Sequence, residues 1–293
     1  MNAKEAIKKL RIDSDIVITG PDCTDPGKLR IYANGGLIGK LYVGDRKNGV
    51  TELISSEYCK YPKPEGGNKE LKNLVAAPGD AVATLASNKY IEACKKSVEA
   101  RFGEKTSQGE KERHVQTRIV KRFMENGDNW CVVDMEVQCP KKWFAGNHFS
   151  KGTTAQPRFD MIVLNRDGIG VIELKVDNDN TDNMNSHYEH MTYLLDNSDC
   201  QTLFLDEMNR RITIMNKHGL LCKNAAAFPQ NKIWCGFLFV GGGIDGSKEL
   251  VKQFKGKPGV NHLKFLYCPD SANETVQTIN MDQAMSYETF MKQ

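Results

Sequence analysis

The stretch from Pro157 to Val176, PRFDMIVLNRDGIGVIELKV, constrains the fold more than any other part of the chain. Two runs rich in β-branched and aliphatic residues, Phe159–Leu164 and Ile169–Val176, flank Asn165-Arg166-Asp167-Gly168, where Asn, Asp and Gly carry turn chemistry. The pattern predicts a β-hairpin with three charges in otherwise apolar arms: Asp160 in the first, Glu173 and Lys175 in the second. A two-residue turn at Arg166-Asp167 sets Asp160 opposite Glu173, and a turn at Asp167-Gly168 sets it opposite Lys175. Both registers leave the three side chains on one face, because side chains alternate along a strand and opposed Cβ atoms lie roughly 5 Å apart. A one-residue slip without a bulge would separate them.

Two carboxylates this close repel unless a proton or a cation lies between them, and an unpaired charge in an apolar strand is costly to bury. A divalent cation meets both demands. Oxygen ligands favour magnesium or manganese over zinc. Lys175, two residues along from Glu173, points its ammonium at the same place, where it would steady an activated water or the charge developing on a phosphate.

Asp160 followed, after a short hairpin, by Glu173-Leu174-Lys175 resembles the D…(D/E)xK signature of the PD-(D/E)xK nuclease superfamily, the restriction-endonuclease-like enzymes, over roughly residues 111–270. The proline that the family usually places immediately before the aspartate is here Pro157, three residues earlier, at a position with no chemical part in metal binding. The resemblance implies an α/β domain with an αβββαβ core, a mixed central sheet flanked by helices, and cleavage of phosphodiester bonds with Mg2+ (or Mn2+). Asp160 and Glu173 would hold the metal and Lys175 would position the attacking water. In that family a glutamate on the helix before the first core strand often joins the metal shell, and Glu112 is its counterpart here, with Glu110 as second choice. The other reading of Glu112 is a solvated acid in a first helical turn, where the helix macrodipole favours acids. The helix after the motif commonly carries Gln-x-x-x-Tyr. Glu189 occupies the first of those positions here, which leaves Tyr193 as an accessory group.

The order of elements predicted around the hairpin is similar to that core. Glu110 to Asn126 reads as an amphipathic helix with Val115, Ile119, Val120 and Phe123 inward. Trp130 to Val137 follows as the first core strand, then the two hairpin arms, a helix over His187–Leu195 and a buried strand over Ile233–Val240. A helix over Glu249–Phe254, a strand over His262–Tyr267 and a closing helix over Met281–Met291 complete the expected domain, 107–293. Residues 1–102 read as a smaller β-rich module with a terminal helix. It has strands near Asp15–Thr19, Leu29–Tyr32, Leu37–Val43 and Val50–Ile54, an Asn34-Gly35 hairpin turn, and a helix over Asn88–Phe102. Nothing in it identifies a chemistry; target selection or assembly is its expected part. The polar segment 103–109 reads as the linker.

Other charged or aromatic groupings give weaker signals. The long connection from Cys139 to Gln156 interleaves Lys141, Lys142, Trp143, Phe144, His148, Phe149 and Lys151. Lysines there neutralise phosphates while Trp143 stacks on bases, or else the aromatics pack the loop onto its own domain and the lysines are merely solvated. His187 and His190, three apart on a helix, have zinc spacing but no third ligand nearby, and read as surface residues. The acidic run Asp177 to Asp182 lacks the glycine and the twelfth-position glutamate of a calcium loop. Gly241-Gly242-Gly243 lacks the lysine of a phosphate-binding loop and reads as a turn.

With 40 basic and 37 acidic residues the net charge is +3, so any nucleic-acid surface must come from local clustering. Nine cysteines without a CxxC pair, and an N-terminus without an apolar core, point to buried thiols in a reducing cytoplasm and to no membrane span. The expected function is a DNA endonuclease of restriction, repair or defence type, with a homodimer as one way to cut two strands. The alternatives are a non-catalytic nucleic-acid- or protein-binding module on the same fold and a nuclease directed at RNA.

Overall fold

A computed structural model describes residues 1–13, 15–22, 25–44, 50–54, 58–61, 66–76, 79–103, 109–125, 129–144, 149, 156–178, 183–269 and 278–293. The chain is of mixed α/β class and divides into two compact units, Met1–Thr117 and Arg118–Gln293. The division falls within a helix rather than in the polar 103–109 segment.

The first unit holds a four-stranded antiparallel sheet of β1 (Ile16–Asp22), β2 (Asp25–Ala33), β3 (Gly36–Tyr42) and β4 (Glu52–Leu53), in that order. Asn34 and Gly35 join β2 to β3 at φ 48° and 79°, the left-handed pair that a two-residue hairpin needs. Helices α1 (Ala3–Leu10), α2 (Lys69–Ala76), α3 (Ala81–Leu85) and α4 (Asn88–Gly103) accompany the sheet. Gly36 admits the Val98 side chain of α4, since a Cβ there would meet it at 2.6 Å. Helix α5 (Gly109–Glu125) spans the division.

The second unit is organised on a six-stranded mixed sheet. Its strands are β5 (Trp130–Gln138), β6 (Arg158–Asn165), β7 (Gly168–Val176), β8 (Ile233–Val240), β9 (Leu263–Cys268) and β10 (Met285–Ser286), in the spatial order β10-β9-β8-β7-β6-β5. β5, β6 and β7 form an antiparallel meander, β7, β8 and β9 run parallel, and β10 closes the edge antiparallel to β9. The motif hairpin turns at Arg166-Asp167, with Asn165 paired to Gly168. Asn165 Oδ1 accepts from the Asp167 N–H at 3.0 Å, an Asx turn, and Gly168 sits at φ 117°, where a Cβ would strike the Lys232 carbonyl. Every residue of β7 is buried, as a strand flanked on both edges and covered on both faces must be.

Two helices follow the hairpin where one was expected. α6 (Met184–Asp196) ends at Asn197, whose side chain accepts from the Cys200 N–H and starts α7 (Ser198–Lys217). α7 buries Cys200, Phe204, Met208, Ile212 and Met215 at helical spacing, with Arg211 fully buried among them. Arg211 binds Asp134 of β5 and, at 2.9 Å, Glu207, which in turn holds Arg210 at 2.6 Å. The helix expected over 249–254 starts earlier, as α8 (Ile244–Lys252). The closing helix expected over 281–291 is instead a single 3-10 turn, β10 and a short α9 (Tyr287–Lys292), because Ser286 caps a new helix at its Thr289 N–H. No helix among the described residues is long and apolar enough to cross a membrane.

Breaking a buried ion pair from one side strands the other charge, which typically costs about 3–5 kcal/mol. Arg211→Met should therefore lower unfolding stability in urea by about that amount. Adding Asp134→Leu should recover a good part of the loss; an additive double variant would show that the pair is not coupled.

Candidate active site

The register of β6 on β7 is the one that sets Asp160 across from Glu173, and regular pairing stops one step short, at Met161 and Ile172. Beyond it the Leu174 N–H has lost its ladder partner, and Asp160 Oδ2 accepts it at 2.8 Å. Asp160 therefore marks the point where the two strands part. It is 8% exposed, while Glu173 and Lys175, next along β7, are each 2% exposed.

Glu173 is the centre of the group. Lys175 Nζ donates to its Oε1 at 2.8 Å. His187, carried by the first turn of α6, brings Nδ1 to 3.0 Å from Oε2. That second approach is close but not aligned as a hydrogen bond, and both Oε2 and Nδ1 are buried without a hydrogen-bond partner. Burial alone pushes the Glu173 carboxyl up. The Lys175 ammonium, with the His187 ring beside it, outweighs burial and holds the group down at about 2. On the neighbouring strand Phe237 and Phe239 pair in register with Glu173 and Lys175, so the charged pair lies against an apolar wall.

Glu112 lies half-buried on α5 within the first unit. Tyr193 is half-buried and packs with Phe144 and Phe149, with the Phe144 and Tyr193 rings 5.5 Å apart; burial pushes its hydroxyl up. Lys141 and Lys142 are exposed on a short 3-10 turn, whereas Trp143 is 9% exposed, so stacking on a base would require that segment to rearrange. Lys151 lies outside the described residues. The histidines expected on the surface of α6 face inward instead: His190 is 2% exposed and His187 stands on Glu173. The only sequence signal for this was His187's place on the helix that follows the motif, because the turn between Val176 and α6 decides which side of that helix meets β7.

The donors suit a divalent cation in part. Glu173 is an ionised, buried carboxylate with one oxygen unsatisfied, and Asp160 stands across from it. Among the described residues there is no cluster of three or more His, Cys, Asp and Glu arranged to hold a metal. Compared with known proteins, the chain matches no family model, no curated protein and no solved structure.

Because folded Glu173 titrates near 2 rather than at its ordinary 4.5, the unfolded chain binds the extra proton between those values. The stability that this carboxylate contributes is complete above about pH 4.5 and is lost as pH falls towards 2, ~3 kcal/mol in all. In chelator, denaturant titrations between about pH 5 and pH 3 should show a stability slope that flattens in Glu173→Gln. An equal slope in both proteins would place the acid sensitivity elsewhere.

Proposed function

We propose that the second unit is a metal-dependent phosphodiesterase of the PD-(D/E)xK type, acting on nucleic acid, with DNA as the expected substrate. What carries the reading is the convergence of Asp160, Glu173 and Lys175 at the parting of β6 and β7, with Glu173 ionised inside the sheet. Such a pair is a poor stability device, since desolvation offsets most of its Coulomb energy, and perturbed buried acids concentrate at functional sites. The element order α5-β5-β6-β7-α6-β8, with α7 inserted before β8, supports the restriction-endonuclease-like form of the fold.

Asp160 and Glu173 would hold Mg2+ or Mn2+, which when bound supplies Lewis acidity to a phosphodiester. The chain's own part is positional. The Leu174 N–H fixes Asp160, and Lys175 fixes one oxygen of Glu173. Lys175 would then donate to the attacking water and to the phosphoryl oxygens as charge builds on them. Lys141 and Lys142 contribute phosphate contacts at the entrance to the β5–β6 connection.

Supercoiled, linear and single-stranded DNA, and RNA, incubated with the full chain in Mg2+, Mn2+ or chelator, test this directly. Cleavage should require metal, vanish in Asp160→Ala and Glu173→Ala, and fall about 10²–10³-fold in Lys175→Ala with metal binding retained. Full activity in Asp160→Ala would sink the assignment, and binding without cleavage under every condition would make the unit a nucleic-acid-binding module. Replacing Lys141 and Lys142 by Ala should reduce the salt slope of binding by up to about one unit per lost phosphate contact. An unchanged slope would leave those lysines as solvated charges.

A further inference from the structure

Glu173 Oε2 and His187 Nδ1 are two lone-pair donors, both buried, both without a hydrogen-bond partner, and 3.0 Å apart. Apposed lone pairs of this kind repel while the ring is neutral, and either a proton on the imidazole or a cation between the two relieves the repulsion; the two atoms are not aligned to share a proton in a hydrogen bond. A metal ion needs a different geometry. Two ligands at about 2.1 Å from one ion, at right angles, lie about 3 Å from each other, which is the separation seen.

We propose that His187 is a protein ligand of the metal site, chelating through Nδ1 together with Glu173 Oε2, and that this imidazole makes the site selective for manganese, or another first-row transition ion, over magnesium. The inference rests on the proposed metal-dependent reading of the same group, and it names the ion that the group takes. Three features of the structure support it. His187 lies in the first turn of α6, so the ring is carried to Glu173 by a helix. Its side chain is 19% exposed, enough for an ion to enter and for water to complete the coordination. Lys175 occupies Oε1 and leaves Oε2 as the oxygen available for a metal. An all-oxygen site suits magnesium, whereas an imidazole donor moves affinity towards Mn2+ and the later ions of the first row.

Metal binding without nucleic acid tests this apart from catalysis. Calorimetric titration of the full chain should give Mn2+ binding at least roughly tenfold tighter than Mg2+. His187→Gln and His187→Ala should lose about that factor for Mn2+ while Mg2+ affinity stays nearly unchanged. Circular dichroism and thermal melting of both variants in chelator check that the fold survives. Pulsed electron paramagnetic resonance on the Mn2+-loaded unmutated protein needs no variant and should show nitrogen coupling from a directly bound imidazole. Absence of that coupling, equal affinity for the two ions in the unmutated chain, or selectivity persisting in both variants would overturn the proposal and leave His187 as a charge partner of Glu173. If the phosphodiesterase reading fails, selectivity and nitrogen coupling remain. If only the histidine ligation fails, metal-dependent cleavage remains while both of those signals are absent.

Discussion

A carboxylate and an ammonium placed two residues apart on a strand with no exposed residue have to be neutralised where they stand, and the second unit is arranged about that requirement. β7 has hydrogen-bonded neighbours on both edges, so Glu173 and Lys175 cannot turn to water without dismantling the sheet. They satisfy one another at 2.8 Å, with Phe237 and Phe239 excluding solvent on the β8 side. Charge attraction at such a site is strong because the surroundings are poorly polarisable, and for the same reason any unmatched atom is costly. The unmatched atom is Glu173 Oε2, and α6 presents His187 to it.

The opening between β6 and β7 follows from the same residues. Where Asp160 takes the Leu174 N–H, a side chain replaces a backbone acceptor, so the hairpin can end its ladder without leaving that donor bare. This fixes the Asp160 carboxylate beside the charged pair while the two strands separate beyond Met161 and Ile172. The end of the ladder thus becomes compatible with hydrogen-bond satisfaction.

The hairpin was legible because its information is local: alternation puts the three charges on one face and Asn165, Asp167 and Gly168 mark the turn, while two registers stayed open until the pairing of Asn165 with Gly168 selected one. The Asn34-Gly35 turn was legible for the same reason. α7 was missed because its inward stripe includes a charged residue, Arg211, whose burial makes sense only once Asp134 is known to lie opposite on β5. His187 was read as a surface group because helical spacing shows which residues share a face but not where that face points. For Trp143 and Phe144 two readings stayed open, because composition cannot distinguish a loop that reaches for a ligand from one that packs down; both rings are buried, with Phe144 against His190 and Tyr193.

The second unit contains a second buried charge group, and the contrast bears on why only one of the two reads as a site. Asp134 and Arg211 are at least as deeply placed as the β7 pair, with Arg211 wholly enclosed, and Glu207 is partly exposed beside them. Arg211 nonetheless reaches two carboxylates through separate nitrogens, Asp134 also takes its own neighbour's N–H at Met135, and no atom of the three is left without a partner. That network is closed: adding an ion or a ligand would have to displace a hydrogen bond already made. At Glu173 the lysine satisfies one oxygen, and the other faces an imidazole that does not complete a hydrogen bond with it. Burying charge is expensive in both places, but only the second retains unspent coordinating capacity. An unsatisfied anionic oxygen held in a central strand is what a cation can exploit, and it is the physical difference between the two groups.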